Sequence, residues 1–266
     1  MQALDAHSTL SEDPDEFRRQ FTSAKALFRR FSDAPVYLTE WNFSTSHRDW
    51  LNDTCFRACF LVKNILENYD ELASFGIWTA TDYIEELHPG HALFHGGMGL
   101  YARGGIPKPA RLALGLLRRL GDTCIYRSGG CFVTRDGDGY AAILYHYRHF
   151  SSLYAKGYLL DKSPDERYSA FPECGDRLVS LTLTGIADGA WDVTEYVLSR
   201  RHGSAFDAWQ EMGAVEPTDP EEFSYLRAIS RPSVRRTEAA VTGGTLLYEA
   251  PLAPHEVRLL RLRPKK

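Results

Sequence analysis

Glu40 is the carboxylate whose setting best suits chemistry. It closes the run Pro35-Val36-Tyr37-Leu38-Thr39-Glu40-Trp41, a short β-rich stretch that suits a buried strand. In β/α architectures functional groups collect at the C-terminal ends of strands, because the strand fixes the backbone while the following loop opens a cleft. A carboxylate there can act as nucleophile or base, although a loop-capping or salt-bridged glutamate fits the same position. Trp78 stands near the end of a second such run, Leu72 to Thr79. Its indole face could floor a sugar site or simply fill a core. Beyond it, Thr81-Asp82-Tyr83-Ile84-Glu85-Glu86 places Asp82 and Glu86 on one face if the segment is helical. Acidic side chains converging on a cleft suit sugar hydroxyls, which are good donors; a solvated acidic turn reads equally well.

Other chemistries find little support. His91 and His95 stand at i, i+4, but no glutamate follows His91 and the nearby glycines argue against a helix, so no metal is expected. Gly96-Gly97-Met98-Gly99 lets backbone approach something closely, yet it has neither the lysine nor the spacing of a phosphate-binding loop. No Gly-x-Ser-x-Gly elbow supports serine hydrolysis. The five cysteines (55, 59, 124, 131 and 174) include no Cys-x-x-Cys pair, so a reduced compartment, the cytoplasm, is expected rather than a disulfide framework. The net charge of −4 offers no footprint for a nucleic-acid backbone, and no stretch approaches the roughly 20 apolar residues of a membrane span.

The elements that must position these groups can be read from spacing. Over 12–32, Phe17, Phe21, Ala24, Leu27, Phe28 and Phe31 recur at helical intervals, with Pro14 suited to a first turn. Asp53 or Thr54 opens a second helix whose body, Phe56 to Leu66, is mostly apolar, and Pro109 opens a third that stops at Gly121. A long loop covers 81–107. The first 120 residues therefore read helix, strand, helix, strand, loop, helix, which implies parallel strands with crossover helices. After Gly121 the pattern changes. Cys131–Thr134 and Tyr140–Tyr145 flank Asp136-Gly137-Asp138-Gly139, a hairpin signal, and further strands are expected near 178–184, 192–200, 245–248 and 256–262. Helical material at 205–212 and 220–229 interrupts them. The expected fold is thus α/β followed by antiparallel β, a β-sandwich, with the boundary near residue 121. Two strand–helix pairs cannot close an eight-fold barrel, which needs about 250 residues.

An ordered set of motifs narrows the reading. Thr39-Glu40-Trp41-Asn42 is followed by Asn52-Asp53-Thr54-x-Phe56, Ser74-Phe75-Gly76-Ile77-Trp78-Thr79-x-x-Asp82-x-x-Glu85-Glu86, Phe94-His95-Gly96-Gly97-Met98-Gly99-Leu100 and Ile106-Pro107-Lys108-Pro109. Together they resemble the later part of the bacterial β-xylosidases of glycoside hydrolase family 39. The similarity is nearly gap-free from Pro35 to about Gly121 and resumes at Arg201-His202-Gly203, Trp209, Met212-Gly213 and Leu226-Arg227. It is weak across 150–176 and before Asp13. The resemblance implies the last two strands of a (β/α)8 barrel with their helices (1–121), then a β-sandwich domain (122–266). It also implies hydrolysis with retention, Glu40 as nucleophile, and Trp78, Asp82, Glu85, Glu86 and His95 around the bound sugar. No cofactor is implied. The partners implied are a xylo-oligosaccharide or other small glycoside, an upstream barrel segment, and other copies of the chain in an oligomer.

The departure from the family pattern is equally specific. Retention needs a second carboxyl about 5–5.5 Å from the nucleophile. In the family it belongs to an Asn-Glu-Pro motif on the fourth strand, and no Asn-Glu-Pro occurs in these 266 residues. The expectation is a C-terminal portion that is inactive alone, whether a truncation, a split subunit or a gene remnant. Its beginning then says little about export. A non-catalytic carbohydrate-binding module, or an iduronidase-like or arabinosidase-like specificity, stays open at this point.

Overall fold

The computed structural model describes residues 10–84, 90–159 and 162–265. The first helix, α1 (Glu16–Phe28), is shorter than its periodicity predicts and buries no residue fully. Phe17 turns inward onto Trp41, with ring centroids 4.7 Å apart, whereas Leu27, Phe28 and Phe31 remain exposed. The extended run after Pro35 contributes only a two-residue strand, β1 (Tyr37–Leu38). Thr54 caps α2 (Cys55–Glu67) by accepting from the Phe56 N–H, and nearly every residue of that helix is buried. The second expected strand is likewise brief, β2 (Ser74–Phe75), and runs parallel to β1 with Leu38 opposite Phe75. Inside the expected loop lies a small antiparallel pair, β3 (Tyr101–Ala102) and β4 (Ile106–Pro107). Pro109 then begins α3 (Pro109–Leu117), the first-turn position that its missing N–H suits.

Six strands form the large antiparallel sheet. They are β5 (Thr123–Ser128), β6 (Cys131–Asp136), β7 (Gly139–Tyr145), β9 (Gly189–Leu198), β10 (Ser233–Val241) and β12 (Val257–Pro264), in the order β10-β9-β12-β7-β6-β5. The remaining strands, β8 (Arg177–Thr184) and β11 (Thr245–Leu252), pair with each other alone. The β6–β7 hairpin turns through Gly137-Asp138, with Asp136 opposite Gly139, as its glycines signal. The sequence reading omits β5 and β10, the two edges of the large sheet. Both carry long runs of exposed side chains, and the register of β5 shifts between Cys124 and Tyr126, so neither shows the alternation that marks a half-buried strand. Two helices, α4 (Ala205–Glu211) and α5 (Pro220–Ile229), interrupt the strands where expected.

The large sheet is a middle layer. One face packs Val133, Leu144, Trp191, Val193 and Leu260 against Leu181 and Leu246 of the β8–β11 pair. The other packs Phe132, Ile143 and Leu259 against Ala58 and Val62 of α2 and Ala113 and Leu116 of α3. Strand β7 is consequently buried on both faces and reads as a continuous apolar run, Ala141-Ala142-Ile143-Leu144. The mixed α/β class holds, and α2 and α3 rest directly on the sheet rather than standing off from it. Among the described residues no helix is long and apolar enough to cross a membrane.

Candidate active site

Just past the end of β1, the two large side chains of Thr39-Glu40-Trp41-Asn42 meet different surroundings. Trp41 points into an aromatic cluster, 5.4 Å from the ring of Phe60 and 6.2 Å from that of Phe75, and is 9% exposed. Glu40 is exposed. Among the described residues it makes no ion pair or hydrogen bond.

The parallel pair continues beyond its regular residues. The Gly76 N–H donates to the Leu38 carbonyl (2.6 Å) and the Trp78 N–H to the Trp41 carbonyl (3.0 Å). Glycine is required at 76, because a Cβ there would stand 2.2 Å from the Thr39 carbonyl oxygen. Asn42 closes the arrangement: its Nδ2 donates to the Trp78 carbonyl at 3.0 Å. Glu40 and the half-buried Trp78 are thereby brought to the same, C-terminal, end of the two strands.

A buried charged cluster supports this end from below. Arg57, in the first turn of α2 and fully buried, donates to the Trp78 carbonyl (3.1 Å) and to the Gly99 carbonyl (3.0 Å). Lys108, also fully buried, lies 2.5 Å from Asp53 Oδ1 and 2.7 Å from Asp82 Oδ2, and donates to the Gly97 carbonyl at 2.9 Å. The two aspartates take the glycine loop from the other side: the Gly96 N–H donates to Asp53 (2.7 Å) and the Gly99 N–H to Asp82 (2.8 Å). Gly96 holds φ = +77°, and a Cβ there would stand 2.5 Å from the Asp49 backbone. Burial raises the Asp53 carboxyl above its usual range, opposed by Lys108, and burial lowers Arg57 to about 10. Two cations among two carboxylates keep the cluster near neutrality, which is how charge survives in such a place.

The predicted site residues therefore divide. Glu40 and Trp78 share the open end of the strands. Asp82, expected beside a sugar, is instead 4% exposed, and its carboxylate is engaged with Lys108 and the Gly99 N–H. His95 is half-buried, with Nδ1 3.0 Å from the Ala92 carbonyl. Glu85 and Glu86 lie outside the described residues. Among the described residues no group of three or more His, Cys, Asp or Glu could hold a metal ion. Arg57 is the group that sequence reasoning overlooks. Its signal is a lone guanidinium early in the apolar body of α2, where a charge must find partners.

Comparison with known proteins gives these features a context. The family model of glycosyl hydrolases family 39 matches residues 4–246. The β-xylosidase of Geobacillus stearothermophilus is 30% identical over 254 residues, which is 94% of this chain and 46% of that enzyme. Two crystal structures share the fold: the GH39 enzyme from Xanthomonas axonopodis pv. citri (TM-score 0.82, 23% identity) and a monomeric β-xylosidase from Caulobacter crescentus CB15 (TM-score 0.82, 24% identity). Each is matched over 96% of this chain and over 50% and 51% of its own length, so the chain spans about half the length of the relatives it matches. On the family model matching residues 4–246, the chain belongs to glycosyl hydrolases family 39.

Proposed function

We propose that this chain supplies the nucleophile-bearing part of a retaining glycoside hydrolase of β-xylosidase type. In this reading β1 and β2 are the last two strands of a (β/α)8 barrel, residues 1–121 belong to the catalytic domain, and residues 122–266 form a β-sandwich domain. The observation that carries it is the placement of Glu40. It is an exposed carboxylate just past the C-terminal end of a parallel strand, beside the strand that leads to Trp78, in a family-39 chain.

Catalysis then runs in two steps. The Glu40 carboxylate attacks the anomeric carbon, a covalent glycosyl–enzyme forms, and the bond to the leaving oxygen breaks. Water next attacks the same carbon and frees Glu40. Trp78 offers an indole face to the sugar ring, and His95 and the segment holding Glu85 and Glu86 border the sugar. Asp82 acts from beneath, with Lys108, as a positioning group for the glycine loop. The acid that protonates the leaving group, and later serves as base, comes from barrel polypeptide outside these 266 residues. The substrate is a xylo-oligosaccharide or a related small glycoside.

A mechanism-based label tests the assignment without needing that acid. In 2,4-dinitrophenyl 2-deoxy-2-fluoro-β-xyloside the leaving group departs unprotonated and the fluorine slows turnover. The expected result is one glycosyl adduct on Glu40, seen by mass spectrometry of peptides and absent from Glu40→Gln. An adduct on another residue, or none when the upstream barrel segment is also supplied, removes Glu40 as nucleophile.

A further inference from the structure

The inner face of the large sheet changes character along its strands. On β9, Trp191 and Val193 belong to the core shared with β8 and β11, and Glu195, next on the same face, is 3% exposed. On β12, Leu262 and Leu260 likewise give way to Arg258. These charged residues floor a cleft of about 1210 Å³. None of its lining residues lies on β1 or β2, so the cleft is separate from Glu40 and Trp78.

Both walls carry ion pairs whose cations keep free donors. Glu195 accepts from Arg235 Nη2 at 2.7 Å and from the Tyr248 hydroxyl at 3.1 Å, and Arg258 donates to that hydroxyl at 2.8 Å. Opposite, Arg200 Nε donates to Asp207 at 3.0 Å, and its guanidinium lies 3.5 Å above the ring of Tyr168. The Tyr168 hydroxyl donates to the second Asp207 oxygen at 2.9 Å. Among the described residues, Arg235 uses only Nη2 and Arg200 only Nε in hydrogen bonds. The remaining guanidinium N–H groups, on side chains 69% and 51% exposed, stay available at the cleft.

We propose that this cleft is a second binding site and that its ligand class is a neutral oligosaccharide. Arg200, Arg235 and Arg258 each face a carboxylate, and the five arginines of the lining stand among six carboxylates, so the walls present paired donors and acceptors with little net charge. Such a surface matches vicinal hydroxyls and offers no excess of positive charge to favour phosphate or polyanionic ligands. Phe171 and Pro172, also in the lining, provide the flat apolar surface that a sugar's C–H face covers. The volume exceeds the roughly 300–1,000 Å³ of a small-ligand pocket and accommodates several rings. The network is also costly for stability alone. Burying Glu195 and Asp207 carries a desolvation penalty, and apolar side chains would extend the Trp191–Val193 core without it. Burial correspondingly raises the Asp207 carboxyl.

The choice of xylohexaose as first probe rests on the proposed glycosidase reading; the choice of a neutral polyol does not. Titration calorimetry of the whole chain with xylohexaose, cellohexaose and maltohexaose should find saturable binding of at least one. That binding should survive in Glu40→Gln and Trp78→Ala and weaken about five-fold in Arg235→Ala, the worth of one hydrogen bond. Arg235 is 69% exposed and Glu195 keeps Arg258 and Tyr248, so Arg235→Ala should leave the urea midpoint unchanged. Absence of saturable binding, binding lost in Trp78→Ala but intact in Arg235→Ala, or tighter binding of inorganic phosphate each overturns the proposal. Failure here leaves the 2-fluoro-xyloside result untouched, so the two readings fail separately.

Discussion

At the residue scale, stability and chemistry are assigned to different carboxylates. Asp53 and Asp82 are buried on one lysine, whereas Glu40 is exposed and unpartnered among the described residues. Lys108→Met would leave two buried carboxylates around an apolar side chain. The expected loss is about 3–5 kcal/mol, the usual consequence of removing one partner from a buried pair, read as a lower urea midpoint. A second change, Asp53→Asn, should recover part of it by removing one unpaired charge. Glu40→Gln, by contrast, should stay within about 0.5 kcal/mol of the parent, because it alters an exposed group that holds nothing in place. The pair of variants separates a structural carboxylate from one free to react.

At the element scale, the short strands β1 and β2 depend on close backbone approach. Their regular pairing covers two residues each, and the Gly76 and Trp78 N–H groups extend it to the residues that matter. Gly76→Ala would drive a methyl group into the Thr39 carbonyl. The expected cost is about 1–3 kcal/mol, with a change in tryptophan fluorescence as Trp41 and Trp78 shift apart. An unchanged midpoint and spectrum would show that the two strands are not held at this distance. The helix α2 is the complementary case. It presents Arg57 upward to the Trp78 and Gly99 carbonyls and Ala58 and Val62 to the large sheet, so one element serves both the site and the core.

At the scale of the whole molecule, His255 joins the α/β part to the β-rich part. It is 2% exposed, its ring packs against Phe56 of α2 (5.6 Å) and Phe171 (4.3 Å), and Nε2 lies 3.0 Å from the Arg148 carbonyl. Burial lowers it to about 4, with His146, Arg200 and Arg148 adding positive charge nearby. The unfolded chain, with a histidine near 6.5, binds the proton that the folded chain refuses. Stability from this group is therefore fully present above about pH 6.5 and declines as pH falls toward 4, by about 3 kcal/mol in all. Urea midpoints at pH 7 and pH 4.5 should differ accordingly, and His255→Gln should flatten the difference. A His255→Gln chain as acid-sensitive as the parent would place the effect elsewhere.

Much of this was legible in the residues themselves. The glycines and prolines punctuate the chain, the helix starts at Thr54 and Pro109 follow from capping and first-turn chemistry, and the Asp136–Gly139 hairpin declares its own turn. These are local matters, decided by φ, by a missing N–H and by side chains a few residues apart. The sequence likewise reads Glu40 and Trp78 near the C-terminal ends of two successive extended runs, because apolar, β-rich stretches precede both. The engagement of Asp82 with Lys108, the reach of Arg57 to Trp78, the two exposed edge strands and the cleft over Glu195 were settled only by tertiary packing. Each joins residues far apart in the chain, and the energy of a buried charge depends on which partners the fold brings to it.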